Sequence, residues 1–317
     1  MGEKRVFDAP LSGLKKSMDC KLSIVIPCKD ENDPNLKELL ESIKKQEFPT
    51  NQMEVLVISE GTSESAKAIG IRKAKGDVIG FLASDNELTS ENALHQLWWQ
   101  AAVDGAAYTR YYHYSKNDNS LNRYFSLMGC NDPLAFYMKK CDRGPLVMLL
   151  NEKYSEFDPK GKTVGDNGFF VKKELIQKTD LDNYYHIDNA NEINSKITAI
   201  NSSFLWHKTG GNIFNFFARR FRYGLQHAFN KNRRWHLVDF SKPQDIRRLA
   251  WFVVASISII PTLMLSIRGW LKIQDKAWFW HPAICLITVF MYSVLTAHIV
   301  LRNTYRWLFA RMDARTA

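Results

Sequence analysis

LSIVIPC (22–28), MEVLVIS (53–59) and DVIGFLAS (77–84) are short apolar runs rich in Val and Ile, and each stops at polar or turn-forming residues. Between them, NLKELLESIKKQ (35–46) repeats Leu and Ile at helical spacing, and SESAKAIGIRKAKG (63–76) also reads as a helix. The order βαβαβ with short connections predicts an α/β domain with a mainly parallel sheet covered by helices. Such sheets bind ligands at the carboxyl ends of their strands. Those ends are Pro27 to Glu31, Ser59 to Thr62 and Ser84 to Glu87, and they carry Asp30, Glu31, Glu60, Asp85 and Glu87. No GxGxxG follows the first strand and no Walker A lysine motif occurs. Dinucleotide redox chemistry and P-loop hydrolysis are therefore poor readings.

The whole chain has 317 residues, 45% hydrophobic and 24% charged, enough for one large domain or two modest ones. That composition excludes a disordered chain, a collagen-like repeat and a disulfide-stapled miniprotein. Five scattered cysteines without a CxxC pair argue against a zinc ribbon or redox pair and fit a reducing compartment. The net charge of +10 is unevenly placed. Residues 208–248 hold ten Lys/Arg against two acids, residues 249–317 hold seven against two, and residues 1–207 are mildly acidic. The positive charge thus adjoins the most apolar stretches, which suits an anionic membrane surface better than nucleic acid.

Those stretches are LAWFVVASISIIPTLMLSI (249–267) and AWFWHPAICLITVFMYSVLTAHIVL (277–301), neither with a charged residue. At about 1.5 Å per residue, each is long enough to approach or cross a hydrocarbon core of roughly 30 Å. Pro261 is a kink of the kind membrane helices tolerate. Trp278, Phe279 and Trp280 stand where an aromatic belt would. The expectation is a two-helix transmembrane hairpin, with spans 249–267 and 277–301 joined by RGWLKIQDK. Lys/Arg counts, and the absence of an apolar signal-type run near Met1, place the large domain and the tail in the cytoplasm. Before the hairpin, 211–248 interleaves aromatic with basic residues, as in IFNFFARRFRYGLQHAFNKNRRW (213–235), and reads as an interfacial segment.

LSIVIPCKDEN, EVLVISEGTSES and AIGIRKAKGDVIGFLASDNEL resemble, in order and spacing, the nucleotide-sugar half of a family 2 glycosyltransferase of GT-A fold. The resemblance covers residues 21–90 well and extends loosely to about 235. It implies a GT-A domain over 21–210, after an N-terminal extension (1–20). It also implies a nucleoside-diphosphate-sugar donor held by Pro27, Asp30, Glu31, Glu60 and Asp85. Two departures stand out. Glu60 replaces the aspartate that grips the nucleobase, and Ala83-Ser84-Asp85-Asn86 keeps only one aspartate of the usual DxD pair. Asp85, with Asn86 as a further contact, is the implied ligand set for a divalent cation, Mn²⁺ or Mg²⁺.

Acceptor and diphosphate contacts are expected from Asn131 and Asp132, from Asn167 and Gly168 in VGDNGFFVKKEL (164–175), and from Arg234 and Trp235 in KNRRW (231–235). RRFRYG (219–224) is an equally basic candidate. In YYHIDNANEIN (184–194), Asp188 beside His186 is the implied general base and Glu192 its rival. The expected activity is inverting transfer of a sugar to a hydroxyl of a lipid-linked or membrane-proximal acceptor. Two alternatives stay open: transfer to a polyprenyl phosphate, which needs no base, and an inactive membrane-tethered nucleotide-binding scaffold.

Overall fold

A computed structural model describes residues 20–141, 143–148, 152–159, 162–165, 167–202, 204–208, 212–229 and 235–316, without the side chains of 148, 229 and 305–316. β1 (Leu22–Pro27), α1 (Pro34–Lys44), β2 (Met53–Ile58), α2 (Ser63–Lys73) and β3 (Val78–Phe81) form the anticipated βαβαβ unit. β1 pairs in parallel with β2 on one side and β3 on the other.

Local chemistry explains these boundaries. Asp33 caps α1 through the Asn35 N–H, Pro34 sits at the first helical turn, and Leu36, Leu39 and Ile43 bury one face. Thr62 and Ser65 form a reciprocal capping box on α2. Along β1, Leu22, Ile24 and Ile26 face the cluster containing α1, while Val25 faces Ala68 and Ile71 of α2. Period-2 alternation thus covers both faces, each buried aliphatic side chain contributing about 1.5–3 kcal/mol. At Gly76 a Cβ would lie 2.6 Å from the backbone of Leu22 and Ser23, so no larger residue fits the entry to β3.

The chain continues through β4 (Asn86–Leu88), α3 (Ala93–Asp104), β5 (Gly105–Thr109), α4 (Ser120–Met128) and α5 (Pro133–Tyr137). β6 (Tyr154–Glu156), β7 (Phe169–Lys172), α6 (Lys173–Ile176), α7 (Asn189–Glu192), β8 (Lys196–Ile200) and β9 (Leu205–His207) follow. Seven strands make one sheet in the order β2-β1-β3-β7-β5-β8-β6, and β4 pairs with β9 in a separate ribbon. β7 runs antiparallel between β3 and β5, and β6 antiparallel to β8, so the remaining five strands share one direction. The sheet is mixed α/β and mainly parallel, a Rossmann-like arrangement.

The rest is helical: α8 (Ile213–Phe229), α9 (Pro243–Ser258), α10 (Ile260–Lys272) and α11 (Trp280–Thr316). Their cores join α4 and α5 through Tyr124, Phe125, Phe216, Trp278 and Ile284, and through Leu134, Met138, Phe252 and Cys285. The expected first span, 249–267, is not one straight helix. α9 and α10 meet at 83°. The break is Ile259, at φ 64°, a left-handed conformation costly for a β-branched residue, followed closely by Pro261. Among the described residues, one helix, Lys276–Thr304, is by itself long and apolar enough to cross a membrane.

Candidate functional site

Asp85 lies just past the end of β3, half-buried in the 83–86 turn. Asn86 is 1% exposed, and its side-chain oxygen accepts from the Ala83 N–H at 2.9 Å. That oxygen therefore closes the turn, leaving Asp85 as the carboxylate of the motif. The β4–β9 ribbon places His207 opposite Asn86. His207 Nε2 comes within 3.4 Å of Asp85 Oδ1, and its Nδ1 lies 3.1 Å from Asn131 Nδ2. Asn167 Nδ2 is 3.4 Å from His207 Nε2. From α8, Arg219 reaches within 3.7 Å of Asp85 Oδ2. The buried Asn131 Oδ1 has no hydrogen-bond partner.

The loop framing this cluster is rigidly held. Arg143 is buried, donates to the carbonyls of Thr109 and Asn167, and stacks 4.7 Å from the Tyr112 ring. Gly168 takes φ 71°, where a side chain would be strained, and its N–H donates to the Phe81 carbonyl at 2.8 Å. Asp132 caps α5 by accepting from the Leu134 N–H, and its second oxygen accepts from the Tyr292 hydroxyl of α11 at 2.5 Å. The expected acceptor-side segment is thus tied directly to the helix that is long and apolar enough to cross a membrane.

A second cluster surrounds Asp188. This carboxylate is 1% exposed, and its Oδ1 accepts from the Trp235 backbone N–H at 2.7 Å. Glu192 is half-buried at the end of α7. Glu64, in the first turn of α2, accepts from the His186 N–H at 2.9 Å and lies 2.7 Å from His186 Nδ1. The same Glu64 pairs with the buried Lys67 at 3.1 Å. A cavity of about 300 Å³ borders this pair, lined in part by Thr62, Glu64, Arg72 and Tyr184. The Tyr185 hydroxyl meets His227 Nδ1 of α8 at 2.9 Å.

α8 therefore crosses both clusters, with Arg219 at Asp85 and His227 at Tyr185. Eight residues of helix separate them by about 12 Å. The other expected donor residues stand at the same strand ends but outside these clusters. Pro27 is half-buried, while Asp30, Glu31 and Glu60 are exposed. Asp30 closes a turn by accepting from the Asn32 N–H at 2.9 Å. Arg234 lies outside the described residues.

His207 and Glu64 carried no signal in the sequence, because each owes its place to a partner far along the chain. The test for a divalent cation turns on Asp85 and His207. Two ligands about 2.1 Å from one ion lie about 3.0–3.4 Å apart, the separation these two atoms have. The described residues contain no group of three or more His, Cys, Asp or Glu suited to a metal. The residues present, Asp85 and His207, fit two ligands of one cation.

No family model matches the chain, and no curated protein matches its sequence. Among solved structures it superposes on S. aureus TarS with a TM-score of 0.42 and 12% identity, covering 84% of this chain and 54% of that one. The chain thus spans about half the length of that protein. For S. aureus TarS 1-349 in complex with UDP-GlcNAc the TM-score is 0.40 and the identity 12%, over 81% of this chain and 78% of that one. The mannosyltransferase PcManGT from Pyrobaculum calidifontis, in complex with GDP-Man and Mn²⁺, gives 0.46 and 13%, over 86% of each chain.

Proposed function

We propose that the chain is a membrane-anchored, family 2-like glycosyltransferase. It transfers one sugar, with inversion, from a nucleoside-diphosphate sugar to a hydroxyl of a lipid-linked or membrane-proximal acceptor. One observation carries this reading: the end of β3 presents Asp85 within 3.4 Å of His207, at the strand end where the glycosyltransferase-like motifs converge. The donor nucleoside lies along Pro27 and Glu60, with Asp30 and Glu31 at its edge. Asp85 and His207 would hold the divalent cation, Mn²⁺ or Mg²⁺, and a cation held there would offset the negative charge that builds on the leaving diphosphate. Arg219 supplies a further positive charge there, the role that the KNRRW motif gives Arg234 by sequence alone. Asn131 and Asp132 contact the acceptor in this reading.

The Asp188 carboxylate takes the proton of the acceptor hydroxyl. The acceptor oxygen attacks the anomeric carbon as its bond to the diphosphate breaks, and the nucleoside diphosphate leaves with the bonding electrons. In this reading Trp235, whose N–H donates to Asp188, contacts the acceptor. Lys/Arg placement favours the cytoplasmic face of a membrane for this domain.

The burial of Asp188 favours a second reading, transfer to a polyprenyl phosphate, whose acceptor is already an anion and needs no base. The test is a panel of nucleotide sugars incubated with the purified protein, Mn²⁺ or Mg²⁺ and a membrane lipid extract, followed by mass spectrometry of the lipids. A glycosylated lipid formed only with active donor and protein supports the assignment. No product with any donor, alongside intact nucleotide binding, would leave the scaffold reading in its place.

A further inference from the structure

The stretch from Asp245 to Trp280 leaves the catalytic domain and returns to it. At its start, Lys140 pairs with Asp245 at 2.6 Å, and Arg248 donates to the Met138 carbonyl at 3.0 Å. At its end, Asp275 lies 2.9 Å from Arg123 Nε and accepts from the Tyr114 hydroxyl at 2.5 Å. The Trp280 indole N–H donates to Ser120 at 3.1 Å. Tyr114, Ser120, Arg123, Met138 and Lys140 belong to α4, α5 and their flanking loops, so both ends are fastened to the same side of one domain.

Between those fastenings the chain bends by 83° at Ile259. The limbs, 16 and 13 residues long, extend about 24 and 20 Å, each short of a hydrocarbon core of roughly 30 Å. Had α9 and α10 crossed a bilayer together, Asp275 would lie on the far side from Arg123. Instead the two are in contact. The limbs expose Trp251, Val254, Ile257, Ile260, Met264 and Leu271, most of them more than half accessible. No charge interrupts 249–267, whereas Arg247, Arg248, Arg268, Lys272 and Lys276 flank it.

We infer that α9 and α10 form a wedge that dips into one leaflet of a membrane containing anionic lipid and returns to the catalytic side. The apolar elbow occupies the acyl region, and the exposed Arg247, Arg268, Lys272 and Lys276 meet the headgroup phosphates. The wedge replaces the first arm of the expected hairpin, and the loop after α10 stays on the face of the catalytic domain. Because α5 packs on α9 and α11 while Asp132 and Asn131 sit at its N-terminal end beside His207, the wedge holds the site's acceptor side against that leaflet. This inference rests on the membrane reading above but not on sugar transfer.

The test uses the full chain in sealed vesicles of phosphatidylcholine and phosphatidylglycerol, with two variants at exposed positions. Asn117→Cys marks the catalytic domain and Gln274→Cys the loop after α10. The parent chain supplies the background from its own cysteines. A membrane-impermeant maleimide is applied before and after detergent. The expected result is the same protected fraction at both positions. Complementary fractions, with Gln274→Cys labelled only after detergent where Asn117→Cys labels before it, would overturn the wedge in favour of a crossing. Flotation with the vesicles checks membrane attachment separately. A chain that stays off the vesicles and sediments as a stable dimer without detergent would also overturn the wedge, since a second copy then covers the apolar face.

Discussion

Replacing Asp188 by Asn separates its chemical role from its structural one. The carboxylate is buried and accepts from the Trp235 N–H at 2.7 Å. An asparagine amide oxygen accepts the same bond in nearly the same shape. Alanine deprives that half-buried N–H of this acceptor, at a cost of up to about 1–3 kcal/mol. Neither amide nor methyl can take the acceptor's proton. A positioned general base is worth about 10²–10⁴ in rate, or about 2.7–5.5 kcal/mol of barrier. Initial rates of sugar transfer to lipid acceptor therefore fall by that factor in Asp188→Asn, while calorimetric affinity for the nucleoside diphosphate stays near wild type. Glu192→Gln is measured in parallel. A rate within threefold of wild type for Asp188→Asn refutes its role as base. A collapse confined to Glu192→Gln transfers the role to that residue, and small losses in both favour a phosphate acceptor.

Three other outcomes follow from the geometry. Asp85→Ala and His207→Ala each weaken Mn²⁺-dependent donor binding, by at least the about 10–100-fold typical of substitutions around metal sites; full wild-type activity in excess chelator would show the assignment to be wrong. Glu60→Ala lowers nucleotide affinity equally with and without metal, and a loss seen only with metal would place Glu60 at the diphosphate instead of the base. Burial raises the proton affinity of Asp275, but hydrogen bonds from Tyr114 and the Ala277 backbone, together with Arg123, outweigh it and hold the carboxyl below its usual value. Its stabilisation is thus complete above the ordinary aspartate pKa of about 3.9 and lost as pH falls through the lower folded value. Acid unfolding followed by tryptophan fluorescence has a shallower slope in Asp275→Asn; an unchanged slope would remove Asp275 from the account.

The first three strands and two helices were legible because their signals are local. The apolar runs LSIVIPC, MEVLVIS and DVIGFLAS and the helical spacing in NLKELLESIKKQ act within a few residues, and together they point to βαβαβ whatever follows. Asp85 was legible for the same reason, since it lies directly after a strand end. The remaining features depend on partners far along the chain. β7 enters the sheet antiparallel between β3 and β5, a choice made by register and by the Gly168 turn, neither of which hydropathy periodicity reports. His207 becomes part of the site only because β9 pairs with β4, and Glu64 only because residues 184–188 return to α2. The segment 249–267 illustrates the difference most plainly. Its sequence determined that it is apolar, uncharged and long enough to span. How its two ends lie was decided by the turn at Ile259 and by the pairing of Asp275 with Arg123, because hydropathy measures what a segment prefers to be buried in, and only contacts distant in sequence fix where its ends are held.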